Sequence, residues 1–474
     1  MKPKNITFLV LLSSLLLGSN SLATTPPMDR KPEVIAPAEV EYPPVTAPDP
    51  QRFPPNPLGK LLADPLINDP KLLIEPRRSL NDLEKEKLRS ALDALHLEGQ
   101  SLFAQKKSDE AFLIWFRELR LRRLLGFREE IFALAKTGEV AWQNNRTRDL
   151  RDITERLQMI QTKIQPQSNP TTPSALFDEA SFYELNEYLA IAYQVLRAPQ
   201  LALSLYEPRL KSLRSNTLPN TLPDNPIELF KTLNSIGLIH LDWFRYTKAQ
   251  RTYQDLRELS RLAQDPASEA MYLIQLTYIA EQNHQPKDAI GPLQDLITLY
   301  AAQPEVQPAL TLRLAENYDK AQDPDNAEKN YQTTFTLSQT LSQNSYGSSA
   351  LFSLGDLYRR TDRFPAAEQV YDFLVDSEQA VYNLHNAMKA SDFLGQMRER
   401  QQNYPGAIAA YEQATVLAQR LAISQDLIQP LEKRLEIARE KSSLTPQIFP
   451  IPTSPIPSSS TPSSSTPIGT PAKP

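Results

Sequence analysis

The sequence predicts an all-α protein made of about eight helical hairpins between two proline-rich ends. Between about Asn81 and Ser442, apolar residues recur at helical spacing, with almost no alternating runs of the kind found in strands. The same pattern of large and small residues returns about every forty residues in this region. Prolines are concentrated outside it, because 14 of the 41 lie in residues 24–80 and 9 lie in residues 443–474.

Residues 1–23 have the three parts of a secretory signal peptide. Two lysines precede an apolar stretch from Ile6 to Leu17, and small residues at positions 21 and 23 suit cleavage before Thr24. About twelve apolar residues are too few for the ~20 that a spanning helix needs, so we expect cleavage rather than a retained anchor. The expected product is exported to a periplasm or a thylakoid lumen, or secreted, with no integral membrane segment.

Both ends of the mature chain have the composition of unfolded segments. Residues 24–80 contain proline pairs and mixed charges, which favour an extended linker, and residues 443–474 form a Pro/Ser/Thr-rich tail that we expect to be disordered. The stretch from Leu58 to Pro76 is more apolar. We therefore expect part of it to lie along the first helices.

The clearest repeat shows how each hairpin is built. Leu351, Leu354, Gly355 and Tyr358 fall on one face of a first helix, and after a short turn Ala367, Tyr371 and Leu374 mark one face of a second helix. Small residues at positions 355 and 367 let two helix backbones approach, while the tyrosines fill the space beside them. A single helix pair cannot bury its apolar face alone, so neighbouring pairs are expected to stack.

These positions resemble the tetratricopeptide repeat (TPR), whose pattern is Leu-Gly or Leu-Ala, then Tyr, then Ala and an aromatic residue. Three further copies carry the same small and aromatic residues: Gly237, Ala249 and Tyr253; Ala315, Tyr318, Ala327 and Tyr331; Gly395, Ala407 and Tyr411. Weaker copies bring the total to eight. The resemblance implies a right-handed solenoid of TPR-like hairpins over residues 81–442, in a protein that binds other proteins.

The repeat length departs from the family. The last intervals between repeats are about 40 residues, whereas the family's usual repeat is about 34, so we expect longer helices, the second of each pair in particular. Two wider intervals coincide with proline-containing stretches near 165–174 and 214–226, which predict loop insertions. Prolines 199, 286, 324, 365 and 405 mark the start of a second helix. Leu427 to Ala438 predicts a capping helix.

Composition and motifs disfavour catalysis. The chain has no cysteine and only four histidines, with no close ligand pair, no phosphate-binding glycine loop and no paired acid and base, so we expect no catalytic residue, cofactor or metal. His240 occupies a tyrosine slot and reads as a core or groove-edge residue. The net charge of −5 disfavours nucleic acid. The arginines between Arg117 and Arg128 are interpreted as a solvated helix face.

The resemblance also predicts where a partner binds. In the family, the slot two residues past the tyrosine faces a groove, and here it holds Asp242, Gln282, Lys320, Arg360 and Arg400. The three consecutive cations, called the basic ladder below, have acidic company in Glu316 and Asp356, one residue past the Leu-Gly or Leu-Ala pair. We interpret these residues as a site for an acidic or mixed-charge protein segment. The alternative is a set of ordinary solvated helix faces joined by salt bridges.

The sequence therefore predicts an exported, non-enzymatic scaffold that binds a protein or peptide and helps to assemble an envelope or membrane complex. Two alternatives stay open. The array could associate with itself as a structural homo-oligomer of the cell envelope, or it could present substrates as an accessory of an enzyme complex.

Overall fold

The computed structural model describes residues 56–58, 80–165, 179–215, 222 and 224–444. Its residues divide into two units, Met1–Tyr346 and Gly347–Pro474, and the boundary falls within one helix. The helices up to that boundary are α1 (Asp82–Ala104), α2 (Ser108–Arg122), α3 (Phe127–Gln143), α4 (Thr147–Ile164), α5 (Glu179–Val195), α6 (Pro199–Arg214), α7 (Pro226–Asp242), α8 (Tyr246–Leu262), α9 (Pro266–Gln282), α10 (Pro286–Leu299), α11 (Gln307–Lys320) and α12 (Pro324–Thr340). The remaining helices are α13 (Asn344–Arg360), which contains the boundary, α14 (Phe364–Ala380), α15 (Leu384–Arg400), α16 (Tyr404–Arg420) and α17 (Gln425–Leu444).

The described residues form no strand, and their helices pair in chain order into eight TPR-like hairpins followed by α17. The all-α prediction and the predicted hairpin repeat are thus confirmed. Short 3₁₀ turns at Arg123–Leu125 and Pro304–Val306 precede α3 and α11. The prediction that the second helix of each pair is the longer one is wrong, since α13, α14, α15 and α16 all have 17 residues.

Tight turns explain how two equal helices fit into each forty-residue repeat. In most of the described connections, three residues separate one helix from the next and the middle residue has a positive φ, as at Tyr382 (φ 57°). The Tyr382 N–H donates to the Gln379 carbonyl, and the Asn383 N–H donates to the Glu378 carbonyl over 2.8 Å. These two bonds are the Schellman arrangement, which pairs the last carbonyls of a helix and reverses the chain.

The predicted proline positions coincide with helix starts. Pro199, Pro286 and Pro324 are the first residues of α6, α10 and α12, and Pro365 and Pro405 are the second residues of α14 and α16. A proline there removes an N–H that has no partner within the helix. Asparagine and aspartate side chains cap several other N–H groups, as in the Asn403 Oδ1 that accepts from the Gly406 N–H.

Close contact between a small residue and an aromatic ring sets the spacing of the two helices in a hairpin. A Cβ added to Gly355 would lie 2.7 Å from the ring of Tyr371, and one added to Gly395 would lie 2.5 Å from the ring of Tyr411. The first hairpin uses Gly99 and Trp115 in the same way. Larger residues at these glycines would push the helices apart.

Two ends of the described chain contact the array. Leu58 is fully buried in the core of the first hairpins, and the Asn56 Nδ2 donates to the Asp152 carbonyl over 2.7 Å. Leu58, the first residue of the apolar stretch, therefore packs against the first hairpins. At the other end, α17 buries Leu435 and Ala438 against the last hairpin, as expected of a capping helix.

Several sequence-based expectations fall outside the described residues. They are the signal peptide (1–23), most of the linker (24–80) and nearly all of the tail (443–474). The two loop insertions also fall largely outside, at residues 166–178 and 216–221. Within the part of the chain that the structure describes, no helix is long and apolar enough to cross a membrane.

We expect Gly395→Ala to destabilise the protein by about 2 kcal/mol, because the new methyl group overpacks the Tyr411 ring. In a Tyr411→Leu background the ring is gone, so the same substitution should instead stabilise by up to about 1 kcal/mol, the helix-propensity advantage of alanine over glycine. Denaturant unfolding of the four proteins in this cycle measures both effects. An equal cost of Gly395→Ala in both backgrounds would contradict the contact.

Candidate functional site

The two arginines of the basic ladder differ in whether an acid of their own helix pairs with them. In the second unit, the Arg360 Nε donates to the Asp356 Oδ2 over 2.8 Å, and the Arg359 Nε donates to the Asp356 Oδ1 over 3.0 Å. Arg400 is exposed and makes no ion pair with the residues described here, since the neighbouring Glu399 bonds to Lys441 over 2.7 Å. Arg360 is therefore already paired within α13, where it shares one carboxylate with Arg359.

Lys320, Glu316 and Asp242 lie in the first unit. Burial raises the pKa of Glu316, and the positive charge of Lys320, one turn later on α11, opposes that rise. Asp242 pairs with Arg197 across 3.4 Å, and both side chains are about half exposed. A partner carboxylate would have to compete with acids already present at Lys320 and at Arg360.

The residues predicted to pack the repeats lie in the hairpin interiors, except for one. Ala249, Ala315, Ala327, Ala367 and Ala407 have no exposed surface, and Tyr253, Tyr331, Tyr358, Tyr371 and Tyr411 are buried. Gly237 faces Tyr253, as Gly355 and Gly395 face their tyrosines. Tyr318 is only partly buried, and its hydroxyl accepts from the Gln294 Nε2 over 2.9 Å.

Tyr371 and Tyr411 occupy equivalent positions in successive repeats, but their hydroxyls differ in hydrogen bonding. The Tyr411 hydroxyl donates to the Glu399 Oε2 over 3.0 Å, whereas the buried Tyr371 hydroxyl has no hydrogen-bond partner among the described residues. The slot of Glu399 is filled in the preceding repeat by Arg359, which cannot accept a hydrogen bond. Burial raises the pKa of both tyrosines, and the Glu399 charge adds to the rise at Tyr411.

We expect Tyr411→Phe to destabilise the protein by about 2 kcal/mol, because it removes a hydrogen bond to a charged acceptor. Tyr371→Phe should be neutral or slightly stabilising, because it removes a buried hydroxyl that lacks a partner. The two substitutions delete the same atom from equivalent slots, so each is the control for the other. Equal losses of unfolding free energy in urea would contradict the assignment.

A surface that the sequence analysis missed lies on the first helices of the first unit. Ile191 on α5 and Leu238 on α7 are 45% and 52% exposed. Phe132, Trp142 and Met271, on α3 and α9, are also large apolar side chains left exposed on first helices. We call these five residues the apolar row. Large apolar side chains repeated on one set of helices are typical of a binding surface.

The sequence contained a signal for this surface. Ile191 and Leu238 each come one residue after a Leu-Ala or Ile-Gly pair, which is the slot that holds Glu316 and Asp356 in later repeats. Across the eight repeats the slot is apolar or aromatic only in three consecutive hairpins, and polar or acidic residues fill it before and after them; in chain order it holds Gln100, Glu139, Ile191, Leu238, Tyr278, Glu316, Asp356 and Gln396.

A cavity of about 240 Å³ lies among α5, α6 and α7. Its lining includes Phe182, Tyr183 and Glu187 of α5, Tyr206 and Arg209 of α6, and Lys231 of α7. Most neighbouring helices are joined by short connections. The connections before α5 and after α6 are the longest between the described helices. The cavity therefore lies at the one hairpin that long connections flank on both sides.

The arginine run at the end of α2 is not the solvated face that the sequence suggested. Arg122 is only 8% exposed; its Nε donates to the buried Glu118 over 2.9 Å, and its Nη2 donates to Asp93 over 2.6 Å. Arg123 pairs with the buried Glu130 over 3.1 Å. The carboxylates that hold these arginines inward come from three helices: Glu118 from α2 itself, Asp93 from α1 and Glu130 from α3. A second cavity, of about 340 Å³, lies beside this network.

Titratable groups elsewhere have structural surroundings. His240 is buried, and burial, with the charges of Lys248 and Arg245, lowers its pKa to about 4. In the part of the chain described, no group of three or more histidine, aspartate or glutamate side chains could hold a metal ion.

No protein-family model matches the sequence, and no curated protein matches it. Solved structures similar to this chain include the C-terminal part of a TPR repeat-containing protein from Cytophaga hutchinsonii, at 11% identity and a TM-score of 0.35, covering 62% of this chain and 98% of that one. Yeast Tom70 has 14% identity and a TM-score of 0.30, covering 75% and 97%. A tetratricopeptide repeat protein from Parabacteroides merdae has 14% identity and a TM-score of 0.28, covering 65% and 98%. At these values, no functional property is carried over from them.

Proposed function

We propose that this protein is a non-enzymatic scaffold that binds a segment of another protein along the first helices of its first unit. The observation that carries the proposal is the pair Ile191 and Leu238, two large apolar side chains exposed in the same slot of successive hairpins. Burying such side chains against a partner removes apolar surface from water and contributes about 25 cal/mol per Å².

The repeat geometry supports an extended ligand rather than a compact one. Slots of successive hairpins recur at a regular spacing along the array, so a partner segment can meet one side chain per repeat. On the hairpins either side, Phe132 and Met271 lie seven residues, about two helical turns, before the same slot, with exposed fractions of 50% and 39%. A partner segment that also covers these two side chains removes further apolar surface from water.

Structural roles of the buried charges support a scaffold without catalysis. Glu130 accepts from Arg156 over 2.6 Å and 3.0 Å, and Glu281 accepts from Arg313 over 2.9 Å and 2.6 Å. At Glu281, burial alone would raise the pKa, but the hydrogen bond and charge of Arg313 lower it overall. These carboxylates are engaged in joining helices.

We expect Leu238→Glu to abolish capture of the partner, because it puts a charge into an apolar contact. The measurement is quantitative crosslinking and mass spectrometry of tagged full-length protein in its native compartment. Leu113→Glu is the matched control, since Leu113 is 72% exposed but lies on a second helix, α2. Partners that are lost with Leu238→Glu and kept with Leu113→Glu support the proposal. Equal recovery by both variants, with unchanged thermal midpoints, contradicts it.

We also propose that the chain is exported and that its partner belongs to an envelope or membrane assembly in the same compartment. Support comes from the signal-like residues 1–23, with their apolar stretch and small residues before Thr24. A periplasm or a thylakoid lumen is the compartment we favour.

The export proposal predicts a mature chain that begins at Thr24. Expression of the full-length gene in a Gram-negative bacterium, followed by fractionation and intact-mass measurement, should yield an extracytoplasmic protein that lacks residues 1–23. A variant with charged residues in place of Leu11 and Leu12 should stay in the cytoplasm uncleaved. Recovery of the unaltered chain with its first 23 residues intact would exclude cleavage.

A further inference from the structure

The cavity among α5, α6 and α7 has the size of a site for one side chain. Its volume of about 240 Å³ is below the ~300–1,000 Å³ typical of sites for cofactors and drug-sized molecules. Most of the surface that its walls expose is apolar, with Phe182 and Tyr183 from α5, and Leu205, Tyr206 and Pro208 from α6. Such walls suit a long aliphatic stem.

One carboxylate in this cavity lacks a partner. Glu187 is partly buried and makes no hydrogen bond or ion pair with any residue that the structure describes. Its negative charge acts on Tyr206, where burial first and the Glu187 charge after it raise the pKa of the hydroxyl. Glu187 therefore lies close to an aromatic wall of the cavity. A carboxylate with these surroundings favours a cation.

Three other charged residues line the cavity, Glu228, Lys231 and Arg209. Lys231 lies 4.0 Å from Glu228, on the same helix. Arg209 is stacked on the Tyr183 ring, with its guanidinium carbon 3.7 Å from the ring centroid. That stacking shows the aromatic wall accommodating a guanidinium from within the chain. Of the two carboxylates that line the cavity, Glu187 is thus the one without an ion pair among the described residues.

We propose that this cavity takes the side chain of an arginine or lysine from the partner protein, with its stem against the aromatic residues and its charge at Glu187. The inference deepens the proposed function, because Glu187 lies one turn before Ile191 on α5. A segment that covers Ile191 can then place a basic side chain in the cavity. The net charge of −5 also favours a basic partner segment.

The test uses single-residue probes with the full-length protein and ligand-observed saturation-transfer NMR. The probes are the N-acetyl, N-methylamide derivatives of arginine, lysine, citrulline and glutamate. We expect saturation to reach the stem protons of the arginine and lysine probes, with citrulline, which has the shape of arginine without its charge, binding at least fivefold more weakly. A response to citrulline equal to that of arginine overturns the proposal, as does a stronger response to glutamate or no response to any probe.

Two variants locate the binding. Glu187→Gln should weaken the arginine probe about tenfold, whereas Glu110→Gln should leave it unchanged, since Glu110 is an exposed carboxylate on the second helix α2, outside the cavity lining. Thermal midpoints check that both variants fold. Equal binding by the two variants overturns the assignment. If the probes fail while Leu238→Glu still abolishes partner capture, the cavity proposal fails and the proposed function stands.

Discussion

The contact between a small residue on a first helix and an aromatic ring on the second is the constraint on which each hairpin depends. At Gly237 and Tyr253, a Cβ would lie 3.0 Å from the ring, and the same pair of slots is filled by Gly395 and Tyr411. This contact fixes the distance and rotation of the two helices. The groove slots come one and five residues after the small residue, about 100° and 140° around the first helix, so they lie on a different face from this contact.

The first hairpins add a second kind of constraint. Glu130 is 1% exposed and bonds to both Arg123 and Arg156, so three helical segments, the 3₁₀ turn, α3 and α4, meet at one carboxylate. Burying charges is costly unless every group is paired, so such a network specifies one arrangement more than it adds stability. Leu58, whose carbonyl accepts from Arg123, ties the preceding segment to the same point.

The sequence predicted what depends on local pattern. The spacing of apolar residues predicted the helices, and prolines predicted where several of them begin. Leu431 and Leu435, which share one helix face, predicted the capping helix. Turns with Tyr382 or Gln402 at positive φ were missed, because a glycine, the usual marker, is absent there. The burial of Arg122 and the cavity at Glu187 depend on groups brought together from separate helices, and no single segment carries that information.

The same slots explain why the two halves of the predicted groove differ. On α13, Asp356 already accepts hydrogen bonds of about 3 Å from two arginines. An acidic partner would have to replace these bonds and would also lose entropy on association, which the bonds within the helix do not. On α5 and α7, exposed apolar side chains fill the slot that Asp356 has on α13, and covering them removes surface from water without breaking an internal bond. Beside them, Glu187 is a charge without a partner among the described residues. The physical balance therefore favours the first unit as the binding surface, with a partner that is apolar in the row and basic at the cavity.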